Sequence, residues 1–274
     1  MGGKVEEHPI ARSAARADAR RVGINASARG HGERRTTGPV AGETSASLTQ
    51  VDHILSHGGL ADARPWLAAA SSRRALAGMV QDVLRDDDRL EEVAARSYVH
   101  NDGFDKIVLA DTGRWALRLH IWWPEQSAVD VEHVHDHAWD FISTIVTGSY
   151  QMELLRNGDG DEWFEYRYEF PKGRPELHGL RLVGRTRLTR VLSIHVSTGS
   201  LYAIHGGQLH RVAAARGTLT SSLVLQGRVV ADGSTVLSES AIPAIANVAT
   251  RPFSANGLRS RMMRYREALE SVDR

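Results

Sequence analysis

V-E-H-V-H-D-H-A-W-D-F-I-S-T-I-V-T-G, residues Val131 to Gly148, carries His133, His135 and His137 at alternate positions. On a β-strand, residues two apart share a face. The spacing therefore predicts three imidazoles lining one side of one strand. Asp140 follows within a few positions. Buried as plain core, such a cluster is costly, because each ring needs a hydrogen-bond partner. A metal ion removes that cost, since neutral imidazole is a common transition-metal ligand.

Outward from this stretch the pattern is β. Trp115, Leu117, Leu119, Ile121 and Trp123 alternate with Ala116, Arg118, His120 and Trp122. One face is apolar; the other is mixed and can border a pocket. Phe104 to Ala110 is a strand before it, after the turn Asn101-Asp102-Gly103. Tyr150 to Leu155 is a strand ending in a hairpin at Asn157-Gly158-Asp159-Gly160. Phe164, Tyr166, Tyr168 and Phe170 alternate with charged residues, and further strands are expected over Leu180–Val183, Leu188–Val196, Leu219–Leu225 and Gly227–Val236. Nine or ten short strands with turns between them predict an all-β sandwich or barrel over residues 104–240.

The flanks differ. Residues 1–48 hold no aromatic residue and one leucine, Leu48, which predicts a disordered leader. Residues 49–103 turn helical: Leu76, Met79, Val80, Val83 and Leu84 follow i, i+3, i+4, i+7, i+8, so a helical segment packs on the body. Residues 241–274 form an extension ending in a helix, docked through Leu258, Met262, Tyr265 and Leu269.

Composition narrows the function classes. The chain has 274 residues, 42% hydrophobic, and a net charge of +1, so there is no global argument for nucleic acid or a membrane surface. No cysteine is present, which excludes disulfides, thiolate metal sites and a cysteine nucleophile. Any metal rests on nitrogen and oxygen ligands. Arginine supplies nearly all the positive charge, with lysine only at Lys4, Lys106 and Lys172. No run of 18 apolar residues occurs, so the protein is expected to be soluble and cytoplasmic.

A second histidine cluster, His205-Gly206-Gly207-Gln208-Leu209-His210, lies far along the chain. The two clusters together resemble the paired motifs of the cupin superfamily, G-x5-H-x-H-x(3,4)-E-x6-G and G-x(5–7)-P-x-G-x2-H-x3-N. His133-Val134-His135, then Asp140 and Gly148, is similar to the first; Gly199 through His210 is similar to the second. Ser127 stands at the leading glycine, Asp140 at the glutamate, His205 at the proline and Ala214 at the closing asparagine. The resemblance covers about residues 104–240. It implies a jelly-roll β-sandwich or barrel and a metal held by His133, His135 and His210, with Asp140 as a fourth ligand or a hydrogen-bond partner of one. His137 lies outside that pattern. It is left as a ligand in a shifted register (His135, His137, Asp140), an acid–base group of the pocket, or a surface residue.

Arg118 is a candidate clamp for a substrate carboxylate, with a structural salt bridge as its alternative. Tyr202 is a pocket candidate beside the second motif, with packing as its alternative. His120 and His195, mid-strand, read as satisfied core histidines. One divalent transition metal is expected, Fe(II) ahead of Zn, Mn or Ni. The expected function is a mononuclear non-haem iron oxygenase acting on a small polar molecule. The alternatives are a non-redox Zn or Mn isomerase, lyase or hydrolase, and a non-catalytic metal-dependent sensor. The partner is a small-molecule substrate, without nucleic acid or membrane, and the resemblance implies a homodimer.

Overall fold

The computed structural model describes residues 43–125, 131–169, 177–231, 233–242, 248–249 and 251–271. The elements run α1 (Glu43–His57), α2 (Arg64–Ala70), α3 (Arg73–Arg85), α4 (Asp87–Arg96), β1 (Tyr98–Val99), β2 (Asp105–Asp111), β3 (Ala116–Trp122), β4 (Val134–His135), β5 (Trp139–Thr147), β6 (Ser149–Glu169), β7 (Leu177–Ser197), β8 (Leu201–Ile204), β9 (His210–Ala214), β10 (Thr220–Val229), β11 (Ser234–Ser238), β12 (Val248–Ala249) and α5 (Ala255–Ser271). The first 42 residues of the expected leader lie outside the described residues, as does Phe170. Its last six residues, from Glu43, begin α1.

Two six-stranded antiparallel sheets form the body, in the orders β1-β2-β3-β10-β5-β8 and β11-β4-β9-β6-β7-β12. From β3 to β6, and again from β7 to β11, consecutive strands alternate between the sheets, the crossing pattern of a jelly roll. The period-2 pattern of β3 decides what each face of the first sheet meets. Leu117, Leu119 and Ile121 point one way, joined by Ile107, Ile142 and Leu223 from neighbouring strands, and bury against the helices. Arg118, His120 and Trp122 point the other way, toward the second sheet.

The helices cover the first sheet because each presents one apolar stripe. In α3 the stripe is Leu76, Met79, Val80, Val83 and Leu84, all buried. Ser72 caps the start of α3 by accepting from Ala75 N, and Asp86 caps α4 by accepting from Arg89 N. Leu258, Met262, Tyr265 and Leu269 of α5 are buried in the same layer. The Tyr265 hydroxyl reaches Ser221, 2.7 Å away, so the one polar atom of that stripe is satisfied.

The second sheet departs from expectation in two places: the strand expected over Gly227–Val236 is split between the end of β10 and the start of β11, and the hairpin is absent. Asn157–Gly160 is not a hairpin, and β6 continues through it as one strand paired with β7 along its length. Asn157 and Asp161 both pair with Leu188, so the intervening residues form a bulge. Gly160 permits it, since a Cβ there would lie 1.9 Å from the Leu188 carbonyl oxygen. The strands expected separately on either side thus merge into β6, and the Leu180–Val183 and Leu188–Val196 segments into β7. Among the described residues no helix is long and apolar enough to cross a membrane.

Candidate metal centre

The three alternate histidines do not share one strand face. The strand carrying them, β4, is only Val134–His135 long and belongs to the second sheet. At Asp136 the chain leaves it: Asp136 N donates to Thr235 O, and Asp136 Oδ1 accepts from Thr235 N. The next strand, β5 of the first sheet, begins at Trp139. His137 therefore sits on the link between the sheets, where strand alternation no longer governs direction.

The side chains brought together are His135, His137 and His210, whose donor atoms all lie within 4.8 Å of one another. His135 and His210 are paired across β4 and β9, with ring centroids 4.6 Å apart. His137 closes the triangle at 4.9 Å from His135 and 5.1 Å from His210. His133 lies outside this group. Its Nδ1 is 3.1 Å from Asp102 Oδ1, and that carboxylate raises its pKa. Asp140 also lies apart: its Oδ1 accepts from Gly206 N at 2.6 Å, and its Oδ2 is 3.6 Å from the exposed His205 ring.

Hydrogen bonding sets the tautomers. His135 Nδ1 is 2.8 Å from the His133 carbonyl oxygen, and His210 Nδ1 is 2.9 Å from that of Gln208. A carbonyl only accepts, so each Nδ1 carries the proton and each neutral ring presents an Nε2 lone pair. Burial, then the charge of His135, pushes the His210 pKa down to about 3. Burial, then His135 and His210, holds His137 well below the ordinary histidine range. At neutral pH both rings are uncharged, so the cluster offers nitrogen lone pairs to one point. That donor set fits a divalent transition metal.

Two glycines and Asp140 hold the halves in register. A Cβ on Gly206 would sit 3.2 Å from the His137 carbonyl oxygen, and Gly207, with φ of +77°, donates its N–H to the same oxygen at 3.0 Å. The turn before His210 is thereby pressed onto the link that carries His137. Asp140 fastens it through Gly206.

Phe141 stands beside the cluster, its ring centroid 5.3 Å from that of His137 and 5.8 Å from that of His210. Counted from His135 and His137, the first-motif spacing places its carboxylate position on Phe141, with six residues to Gly148. An apolar ring therefore occupies the place of a carboxylate. The signal was present in the sequence as this spacing, hidden by the earlier His-x-His overlapping it.

The cluster opens into a cavity of about 520 Å³ between the two sheets. Arg118 lines it, with its guanidinium carbon 5.0 Å from the centroid of the Trp139 ring, which in turn stacks on His137 at 5.2 Å. Arg118 makes no salt bridge among the described residues, and its buried Nε has no hydrogen-bond partner. Tyr202 also lines the cavity and shares a short hydroxyl–hydroxyl bond with Tyr150. Burial raises both phenol pKa values, so both stay protonated. His120 is a cavity wall residue whose Nε2 lacks a partner, and His195 is exposed on β7; neither is a satisfied core histidine. Lys106, which the sequence reading passed over, lines the cavity too. Its signal was a lysine on a strand of an arginine-rich chain.

No protein-family model matches the chain, and no curated protein matches it in sequence. Among solved structures it is similar to a hydroquinone 1,2-dioxygenase, PnpCD, in complex with Cd2+ and 4-hydroxybenzonitrile, at 16% identity over 51% of this chain and 71% of that one, with a TM-score of 0.30. It is similar to an oxalate oxidase in complex with the substrate analogue glycolate, at 14% identity over 49% of this chain and 55% of that one, with a TM-score of 0.30. A cupin-2 domain protein from Shewanella frigidimarina matches at 14% identity over 47% of this chain and 86% of that one, with a TM-score of 0.27. The chain's likeness to the cupin superfamily rests on its own two motifs, converging at one histidine cluster inside a two-sheet antiparallel sandwich.

Proposed function

We propose that this protein is a mononuclear metal-dependent cupin enzyme with His135, His137 and His210 as its protein ligands, an Fe(II) oxygenase acting on a small polar molecule. The observation that carries the reading is the convergence of these three rings on one point, two of them locked by backbone carbonyls with Nε2 free. A divalent iron held by these three histidines would supply redox chemistry. Phe141 favours that use, because it keeps a fourth protein ligand from closing the shell.

The chain's own residues do the rest. Phe141, Trp139 and Trp122 wall the cavity with aromatic surface and limit water around the histidines. One of the Tyr202 and Tyr150 hydroxyls donates to the other, and the second hydroxyl hydrogen is left for Ser143 or a bound polar group. Arg118 is charged and orients an acidic substrate group.

The test is protein purified without added metal, analysed for bound elements, then reloaded with Fe(II) or Zn(II) and followed by oxygen uptake against a panel of small acids and phenols. The reading expects one metal per chain and uptake with iron alone. Equal turnover with zinc and no oxygen consumption would replace the oxygenase with a Lewis-acid enzyme.

A further inference from the structure

The cavity holds two side-chain cations, Lys106 and Arg118, and the metal reading above uses only Arg118. Lys106 on β2 and His120 on β3 are directly paired across the sheet, and Arg118 lies two residues from His120 on the same face. All three line the cavity. Lys106 Nζ lies over the Tyr98 ring, 5.5 Å from its centroid, and makes no ion pair among the described residues. Arg118 Nε and His120 Nε2 are buried without hydrogen-bond partners. Buried polar nitrogens are rarely left unpaired, because each orphan forfeits the hydrogen bonds it made to water.

The nearby carboxyls do not balance these charges. Asp102 is engaged by two histidines, with Oδ2 3.2 Å from His100 and Oδ1 3.1 Å from His133. Glu132 is buried, and burial followed by the charge of Asp102 raises its pKa well above the carboxylate range. Burial and then Arg118 press the Lys106 pKa down, against the smaller opposing pull of Glu132 and Asp102. A divalent metal on three neutral imidazoles would add positive charge to the same cavity.

We propose that Lys106, Arg118 and His120 form a carboxylate-binding subsite, and that the substrate is a carboxylate carried on an apolar, aromatic-sized body. The guanidinium supplies charge, a bound carboxylate favours the ammonium form of Lys106, and the His120 Nε2 takes part as a neutral hydrogen-bonding group. Phe104 and Trp122, which pack on each other at 4.8 Å and on His120 at 4.8 and 6.0 Å, form the apolar wall beside it. Carboxylate is favoured over phosphate because the wall is aromatic and the donors are few and lie on one sheet face. The subsite deepens the metal-enzyme reading and stands on residues outside the histidine cluster.

Calorimetric titration of the full-length protein with benzoate, benzamide and phenyl phosphate tests it. The protein is used both metal-loaded and chelator-treated. The chelator-treated arm decides, since no metal can then take the carboxylate. Benzoate is expected to bind at least about tenfold tighter than benzamide, the worth of a charge-assisted bond. K106M and R118M should each abolish that preference and leave benzamide affinity within about twofold. Equal affinity for benzoate and benzamide in the native protein, no benzoate binding, or a clear preference for phenyl phosphate overturns the subsite, whether or not the variants fold. A protein that never holds metal yet keeps the benzoate preference defeats the oxygenase reading and leaves the subsite standing. Stoichiometric metal without the preference does the reverse.

Discussion

His135 and His210 face one another across β4 and β9, and each gives its Nδ1 proton to the carbonyl two residues earlier in the chain, His133 for one and Gln208 for the other. The two ligand candidates are thus held by the same backbone device on two strands far apart in sequence. The third, His137, has no such anchor among the bonds described. It is held by the backbone around it, through the Gly207 N–H on its carbonyl and the stacked Trp139 ring.

From this follows a contrast among four histidines. Alanine at His135, His137 or His210 should lower metal occupancy at least about tenfold, because each removes a nitrogen donor. Alanine at His133 should leave occupancy near one per chain, since that ring is turned to Asp102. Elemental analysis of the four purified variants reads this directly. Loss of metal in H133A with retention in H137A would restore the other register.

Asp140 should act by fastening rather than by ligation. D140A removes the acceptor of the Gly206 N–H and frees the turn before His210. Metal affinity should fall by about 10–100-fold, the usual effect of losing a group that orients a ligand. D140N keeps a carbonyl oxygen at that position and should retain most of the affinity. Competition with a chromogenic chelator measures both, and equal damage from the two variants would point to ligation by the carboxylate.

The metal-free protein should lose stability in acid over a defined window. Burial lowers the folded-state pKa of His210 to about 3 and holds His120 well below its ordinary value of 6.5. Between those values the unfolded chain binds more protons than the folded one, so stability rises with pH there. The His210 contribution is complete above about pH 6.5 and is lost as pH falls toward about 3, and that of His120 is likewise lost on the acid side of its ordinary value. Each group adds a slope of up to about 1.4 kcal/mol per pH unit. Urea unfolding of chelator-treated protein from pH 7 to 4 should show this, and H120Q should flatten it. An unchanged slope in H120Q would mean that His120 titrates normally.

Gly148 should tolerate no side chain. Its φ is +68°, and a Cβ there would lie 2.4 Å from Thr220 Oγ1 and 2.7 Å from the Leu219 carbonyl oxygen. G148A should destabilise by about 1–3 kcal/mol through backbone strain and overpacking. Gly113, with φ of +74° but open space around it, supplies the control: G113A carries the strain without the clash. Chemical denaturation of the two variants separates the contributions.

Much of this architecture was legible in the chain itself. The alternation in β3 announces a sheet with one greasy and one mixed face, and the helical stripes of α3 and α5 announce what covers the greasy one. These patterns are local, and hydrophobic burial forces the same solution wherever they occur. The Asn157–Gly160 bulge was not legible, because its turn-like composition also serves a strand that must pass close to the Leu188 carbonyl. Lys106, His120 and Arg118 could be placed on strands, but not in one cavity, until the β2–β3 register was known.

The residues Val131 to Gly148 hold both sides of the matter. By itself the sequence excluded cysteine as a metal donor and offered two distant histidine clusters as candidate donors. It could not choose between His133 and His137, because His-x-His-x-His contains two overlapping registers of the same motif. Only the tertiary structure places His137, and not His133, beside His135 and His210: β4 ends at His135, the chain crosses to the other sheet, and the glycine turn before His210 packs on the crossing where His137 stands. The choice depends on contacts between segments about seventy residues apart, which no local periodicity encodes.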